Sequence, residues 1–417
     1  MRPVVMMTTS GTAVAELFPA VIEAYYSGKP LILLTADRPK WFRGTGAPQS
    51  IEQKRIFGCY TPFAIDISYG ETIDTLSWDR CSPFHINLCL EEAYNETFHT
   101  IPVKNTLTEL SSTLQSKENE LLEFLSNAHN LLLVVSTLEQ HDQQAVLRFL
   151  KRLGAPCYLE SISGLKCSNQ LKGHEIHMEE HLFRHAKTNA YPIDSVLRIG
   201  GVPTARFWRD VEAMKGKIQL MSLSHLPFSG ISWSSVLHAE IGKTLDRIDA
   251  SAFTWNASHI QEKDKELKKS LNQLLDEEPF SEPALIKALS SIIPNDANVY
   301  LGNSLPIREW DLVVEKQFSR VFANRGANGI DGQLSTFLGM CSPERENWAI
   351  VGDMTALHDF TAPMNLDKIT EGKITIVIVN NSGGQIFSRL FSNPSFVNAH
   401  SYDFEAMASM WKMEYCR

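Results

Sequence analysis

The chain has 417 residues, of which 43% are hydrophobic and 21% charged, with a formal net charge of −9. That length exceeds what one ordinary core serves, so two or three domains are expected, and the acidic balance argues against nucleic acid or an anionic membrane as the main partner. No apolar run approaches the ~20 residues a membrane-spanning helix requires, and no charged stretch followed by an apolar signal core opens the chain, so a cytoplasmic protein is expected.

In chain order, Val4 to Thr8 reads as a strand, Ala13 to Tyr26 as a helix and Leu31 to Thr35 as a second strand. Alternation of this kind implies a parallel, doubly wound sheet, continued by the strands Phe63 to Ile67 and Phe84 to Leu88. Ser111 to Ser126 has a polar helical pattern and reads as a linking helix. A second unit opens with the buried strand Asn130 to Val135 and repeats the pattern at Pro156 to Leu159, Ser195 to Ile199 and Ile218 to Leu223. The charge-dense stretch Glu262 to Ser270 is expected to be a solvated boundary helix. The third unit begins near Ser281 and has strands at Val299 to Leu301, Val321 to Ala323, Trp348 to Val351 and Ile374 to Val379. The expected architecture is three consecutive α/β units, over residues 1–110, 111–275 and 276–417.

The strand Val4 to Met7 has nothing before it to form a neighbour, and an amphipathic segment (Phe404, Met407, Ala408, Trp411) ends the chain with no strand after it. Both ends therefore read as cut inside a domain. The seven cysteines (Cys59, Cys81, Cys89, Cys157, Cys167, Cys341, Cys416) are odd in number and never in C-x-x-C spacing; reduced, mostly buried thiols are expected.

The chemistry gathers at strand ends. Gly352-Asp353 follows one strand of the third unit and Asn380-Asn381-Ser382-Gly383-Gly384 follows the next. A βαβ crossover brings both to one edge of a parallel sheet, the edge where open α/β sheets bind ligands. A carboxylate, an amide oxygen and a carbonyl released by the glycine turn are hard donors suited to Mg²⁺ or Mn²⁺ shared with a diphosphate. Ordinary turn caps are the competing reading. Thr9-Ser10-Gly11-Thr12-Ala13 sits between strand and helix, where a plain helix cap is the simpler reading and an anion site the other. Asp37-Arg38-Pro39 ends a strand, and the loop beyond it carries Gly44, Gly46 and Gln49. Arg308, after Asn303-Ser304, and Arg325, in Asn324-Arg325-Gly326, follow strand ends as well. Arginines facing one ligand edge suit a substrate with several carboxylates; a single one is more often a surface ion pair. His174, His177, His181 and His185 share a helical stripe with Glu179 and Glu180 nearby. Zinc is one use of such spacing, but without H-E-x-x-H a partly exposed helix face is the expected one. Trp208, Trp310 and Trp348 are expected in cores or domain interfaces.

Together, Thr9 to Ala13, Leu34 to Pro39, Asn324-Arg325-Gly326-Ala327-Asn328-Gly329-Ile330-Asp331-Gly332, Val351-Gly352-Asp353 and Asn380 to Phe387 resemble, in order and over nearly the whole chain, the MenD family of menaquinone biosynthesis. Members use thiamine diphosphate to decarboxylate 2-oxoglutarate and add the succinyl unit to isochorismate. The resemblance implies a thiamine-diphosphate-binding fold: a pyrimidine-binding unit and a diphosphate-binding unit, both incomplete here, flanking a cofactor-free Rossmann-like middle unit. It makes Asp353, Asn381 and the Gly383 carbonyl the ligands of Mg²⁺ or Mn²⁺. Ile330 becomes the apolar residue beneath the cofactor and Gln49 the group beside the reacting atoms. Arg38, Arg206, Ser304, Arg308 and Arg325 would hold substrate carboxylates, with Ile386 and Phe387 lining the apolar part of the pocket. A homodimer or tetramer with sites shared between subunits is also implied.

Some positions depart from the family pattern. Met354 follows Gly352-Asp353 where thiamine-diphosphate enzymes commonly have Gly, and Thr355 keeps the hydroxyl usual in MenD proteins. Pro48 stands where the family often has Asn, so one polar contact beside Gln49 is expected to be missing. Family members also carry, before the residue matching Met1, a Glu that hydrogen-bonds the aminopyrimidine ring and a Ser-Arg pair that contacts substrate. Loss of such acid–base assistance costs ~10²- to 10⁴-fold, so little or no turnover is expected from residues 1–417 alone. Two other readings stand beside the synthase: a silent remnant that binds only metal and diphosphate, and another thiamine-diphosphate decarboxylase such as an acetolactate-synthase relative.

Overall fold

Among the described residues, three all-parallel sheets, each with helices between its strands, organise the chain. The computed structural model describes residues 2–68, 71, 78–91, 117–178, 191–369, 372–388, 390–391 and 393–417. Two compact units are present: one comprises Met1–Thr113 with Gly326–Asn328, the other Leu114–Arg325 with Gly329–Arg417. The first part of the expected linking helix, 111–116, lies outside the described residues; its remainder is helical over Glu118–Asn127.

The first unit holds β1 (Val4–Thr8), β2 (Leu31–Asp37), β3 (Phe63–Ser68) and β4 (Phe84–Cys89), in the order β1-β2-β4-β3. β2 is central and alternates buried and half-buried residues, whereas β1 is an edge strand with Val4, Val5, Met6 and Met7 exposed. The helix expected over 13–26 is two pieces, Thr12–Ala15 and Phe18–Tyr26, with Pro19 in the first turn of the second. Proline has no N–H to continue the ladder, and its ring collides with the carbonyl four residues back.

In the second unit β5 (Leu131–Val135) is buried along its whole length. That fits a continuous apolar run covered by helices on both faces. It joins β6 (Cys157–Leu159), β7 (Glu175–Ile176), β8 (Ser195–Ile199), β9 (Gln219–Ser224) and β10 (Val236–His238), in the order β10-β9-β8-β5-β6-β7. The order reverses between β5 and β8. The other sheet of this unit has β11 (Asn298–Leu301), β12 (Val321–Phe322), β13 (Asn347–Gly352) and β14 (Ile374–Val379), ordered β12-β11-β13-β14. It reverses between β11 and β13, and such a switch point opens a crevice at the carboxyl ends of the strands. Trp310 is fully buried beside Phe318, ring centroids 5.3 Å apart, and Trp208 is also in the core.

Other expectations need correction. The histidine stripe is not a helix face where it is described: His174 lies in a turn and His177 just after β7, because pairing of Glu175–Ile176 with β6 overrides the local helical pattern. His181, His185, Glu179 and Glu180 lie outside the described residues. The charge run falls within the helix Ser258–Glu277, yet Asp264 is buried and accepts the N–H groups of His177 and Met178 at 2.9 and 2.8 Å. All seven cysteines are free, but only Cys89 and Cys157 are buried.

Burial pushes the His85 imidazole down to about 4, against the pull of Asp66 and Asp37. Burial, with Lys166 and Lys268 adding to it, pushes His177 down to about 3. Both rings stay neutral in the fold, while the unfolded chain takes up protons near pH ~6.5. Their contribution is therefore complete above that pH and drains away as pH falls toward 4, by roughly 3 kcal/mol each at most. The thermal midpoint should fall between pH 7 and 4.5, and less steeply in His177→Gln. Comparison with the variant separates the histidine from buried Glu160 and Asp311, whose raised carboxyl pKa values act in the opposite sense.

Candidate active site

Asp353 leaves the sheet directly after β13 and opens the helix Asp353–His358. Gly352 pairs with Val379, so Asp353 and the loop from Asn380 emerge side by side. The Asp353 side chain is buried. Its Oδ1 accepts the Met354 N–H at 2.6 Å, and its Oδ2 accepts the Gly383 N–H at 2.8 Å and lies 3.0 Å from His400 Nε2. Only a residue without a side chain fits at Gly383: φ is +129°, and a Cβ there would stand 2.6 Å from the Val397 carbonyl. That carbonyl also accepts the Gly384 N–H, at 2.6 Å, so the turn is pressed under the segment leading to His400.

Asn381 donates its amide N–H to Glu282 Oε2 at 3.0 Å, which leaves the amide oxygen as its coordinating end. Glu282 Oε1 is buried with no hydrogen-bond partner. A carboxylate and an amide oxygen at adjacent strand ends, with the amide's other end held by a second carboxylate, are donors of the type a hard divalent cation takes. The residues expected to hold the metal thus fit it in type. One detail differs from expectation: Gly383 presents its N–H to Asp353, and its carbonyl accepts the Gln385 N–H at 2.9 Å.

Across the switch point, Asn303 follows β11 and ties three strands of chain together. Its Oδ1 accepts from Arg325 Nη1 at 2.7 Å, and its Nδ2 donates to the Asn324 and Gly329 carbonyls at 2.8 and 2.7 Å. Arg325 and the turn before half-buried Ile330 are thereby fixed at the same edge as Asp353. Ser304 has φ +79° and starts the helix Leu305–Val313, which carries exposed Arg308. Half-buried Ile386 and exposed Phe387 lie beyond Gly384, and Phe387, Phe391 and Phe396 form a row with ring centroids 6.2 and 4.3 Å apart. Arg206 is exposed and belongs to the edge of the other sheet in this unit, at the start of the helix Arg206–Val211. Thr204 and Ala205 just before it reach Glu160, which is completely buried after β6 and accepts from Ser136 Oγ (2.5 Å), Thr204 N (2.5 Å), Thr204 Oγ1 (2.6 Å) and Ala205 N (3.1 Å). Burial and the nearby Asp311 carboxylate push its carboxyl up.

Arg38 and Gln49 belong to the first unit. Arg38 lies 5.7 Å over the Phe42 ring, and its Nε is buried without a partner. Gln49 has φ +56°, and a Cβ on Gly11 would stand 3.3 Å from its Cα. No side chain caps the helix after Gly11, so the plain-cap reading of Thr9 to Ala13 fails. The Gly11 N–H instead meets Gln53 Oε1 at 2.7 Å, and Gln53 Nε2 reaches the Ala36 carbonyl and Asn87 Oδ1, both at 2.9 Å. Asp37 pairs with Arg43 at 3.0 Å.

Sequence reasoning missed His400, Glu282, Asn303, Gln53 and Glu160. Each acts over a long separation, such as the 47 residues between His400 and Asp353. No local period marks them; a buried polar type at a strand end was the one available sign, for Asn303 and Glu160.

Residues 1–56 match the model of the thiamine pyrophosphate enzyme N-terminal TPP binding domain. The 2-succinyl-5-enolpyruvyl-6-hydroxy-3-cyclohexene-1-carboxylate synthase of Bdellovibrio bacteriovorus is 42% identical over 99% of this chain and 79% of its own length. This chain belongs to that synthase family. The synthase of Akkermansia muciniphila is 35% identical, over 99% of this chain and 79% of its own. An X-ray structure of a Mycobacterium smegmatis protein assigned to the thiamin diphosphate-dependent enzymes superimposes with a TM-score of 0.67 at 13% identity, covering 98% of this chain and 81% of that one. The synthase chain thus has the thiamine-diphosphate-binding fold expected from its motifs.

Proposed function

We propose that this protein decarboxylates 2-oxoglutarate and transfers the succinyl unit to isochorismate, giving 2-succinyl-5-enolpyruvyl-6-hydroxy-3-cyclohexene-1-carboxylate for menaquinone biosynthesis. The observation that carries this reading is 42% identity to a synthase of that name over 99% of the chain. The enzyme is a transferase, and its cofactor is thiamine diphosphate. That group, when bound, supplies the electron sink that lets a 2-oxo acid lose CO₂.

The chain's own residues bind and orient. Asp353, Asn381 and Gly383 would hold Mg²⁺ or Mn²⁺ against the diphosphate; Glu282 fixes which end of the Asn381 amide faces outward, and His400 holds the Asp353 carboxylate. Ile330 gives the cofactor an apolar support, and Gln49 stands by the reacting atoms. Arg38, Arg206, Ser304, Arg308 and Arg325 bind the substrates' carboxylates, where arginine's paired donors suit planar anions. Ile386 and Phe387 exclude water from the apolar side. We also assign domain limits at 1–110, 111–275 and 276–417, a cytoplasmic location, and a homodimer or tetramer with sites shared between subunits. Among the described residues, no helix is long and apolar enough to cross a membrane.

The test follows CO₂ release and product mass with the purified full-length product, residues 1–417 alone being expected to show little or no turnover. Release from 2-oxoglutarate should require thiamine diphosphate and Mg²⁺ or Mn²⁺, and the adduct should form only with isochorismate. Turnover of pyruvate with indifference to isochorismate would overturn the assignment.

A further inference from the structure

Three clusters among the described residues bring His, Cys or carboxylate ligand atoms within 4.8 Å of one another: Asp37–Asp66–Cys89, Cys167–Glu175–His177 and His141–Asp142–His225. The first already has a protein cation in place, and in the second the carboxylate is engaged by a backbone donor with lysine charges near it. Arg43 reaches Asp37 at 3.0 Å, Asp66 at 2.6 Å and Cys89 Sγ at 3.1 Å, filling the position a metal would take. Lys166 and Lys268 act on both Glu175 and His177, and both Glu175 oxygens accept the Cys167 N–H at 3.0 Å. The third cluster differs. The groups acting on the Asp142 carboxylate are the His225 and His141 imidazoles and the Gly242 N–H.

We propose that His141, Asp142 and His225 form a binding site for a late first-row divalent cation, Zn²⁺ above all, at the carboxyl edge of the sheet that contains β5 and β9. His141 and Asp142 lie between β5 and the helix Gln143–Leu153, and His225 directly follows β9. Asp142 Oδ2 is 2.7 Å from His225 Nε2 and 3.6 Å from His141 Nε2. Tetrahedral Zn²⁺ with bonds of about 2.0–2.1 Å places its donors roughly 3.3 Å apart. Insertion therefore asks the closer pair to open by about half an ångström and the other to close slightly. Two imidazoles and one carboxylate are donors that zinc accepts, and three protein ligands leave a fourth position for water.

The surroundings hold this set in place. Gly242 N donates to Asp142 Oδ1 at 3.0 Å, so the other oxygen is the one turned to the imidazoles. His238 Nε2 meets the His225 carbonyl at 2.7 Å, which fixes the loop after β9. Outer contacts of this kind orient metal ligands. The Asp142 side chain is buried and the His141 side chain is 74% exposed, giving the ion both a buried anchor and an entry route. None of the three residues takes part in the proposed reaction. A metal here clips the loop after β5 to the loop after β9, and its effect is on stability.

The experiment uses the full chain with thiamine diphosphate and excess Mg²⁺, so that the Asp353 site is not in competition. Zn²⁺ is titrated by calorimetry, and Co²⁺ by its visible absorption. One saturable equivalent at micromolar Zn²⁺ and a raised thermal midpoint are expected. His141→Ala and His225→Gln should each weaken Zn²⁺ at least ~10-fold, and the double variant should lose both the equivalent and the rise in midpoint while folding normally without metal. Equal Zn²⁺ affinity in the wild type and the double variant, or no saturable binding by the wild type, would overturn the site and leave an ordinary His–Asp pair.

Discussion

Asp353→Ala is expected to abolish metal-dependent retention of thiamine diphosphate. The side chain stands at the end of β13, beside the switch point, and its carboxylate accepts the Gly383 N–H of the turn. Loss of groups that merely orient a metal ligand costs ~10- to 100-fold in affinity; loss of the ligand itself should exceed ~100-fold. The same carboxylate also accepts from Met354 and Gly383, so its removal leaves buried donors unsatisfied at about 1–3 kcal/mol each. Calorimetric titration of the cofactor at fixed Mg²⁺, with circular dichroism and a melting curve on the same sample, distinguishes the two effects. A folded variant that still retains the cofactor would sink the metal assignment.

Glu160→Ala should cost more stability than any surface substitution, on the order of 3–5 kcal/mol. One carboxylate there gathers donors from chain leaving β5 and β8, while Glu160 itself leaves β6. Truncation leaves the Thr204 and Ala205 N–H groups and the Thr204 hydroxyl without the carboxylate at once, and Ser136 Oγ with only a long contact to the Val202 carbonyl. The midpoint should fall by roughly 10 °C, given ~2–4 °C per kcal/mol in a domain of this size. Glu160→Gln should lose much less: its amide oxygen still accepts from Thr204 and Ala205, and the Ser136 hydroxyl can turn from donor to acceptor. A Glu160→Ala midpoint within a degree or two of wild type would show that water replaces the carboxylate.

Where burial sets the pattern, the fold could be read directly. Leu131 to Val135 is an unbroken apolar run because helices cover both faces, and the apolar run Ile374 to Val379 coincides with β14. The break that divides the helix expected over 13–26 was missed, although Pro19 stands in the first turn of its second piece. Local pattern misled at His174 and His177, where helical spacing lost to a strand that exists only through its pairing with β6. At the site, Asp353 was legible as a polar residue ending an apolar strand. Its partner His400 was not, since only the fold brings the segment after Val397 back over Gly383. Asp37-Arg38 drew attention to Arg38, yet the arginine that pairs with Asp37 is Arg43.

Left-handed backbone at Gln49, Ser304 and Ser382, three non-glycine residues beside the proposed ligand edges, has a consequence for how this protein tolerates change. Each conformation opposes an L side chain by about 1–2 kcal/mol. Glycine would relax those positions, and at Ser304, with φ 79° and ψ −126°, it is the residue best suited, whereas valine, isoleucine or threonine would not be accepted. The loops that matter most for chemistry are thus the ones with the narrowest set of permitted residues. Glycine is the replacement these loops would take most readily, and a β-branched residue the one they would resist most.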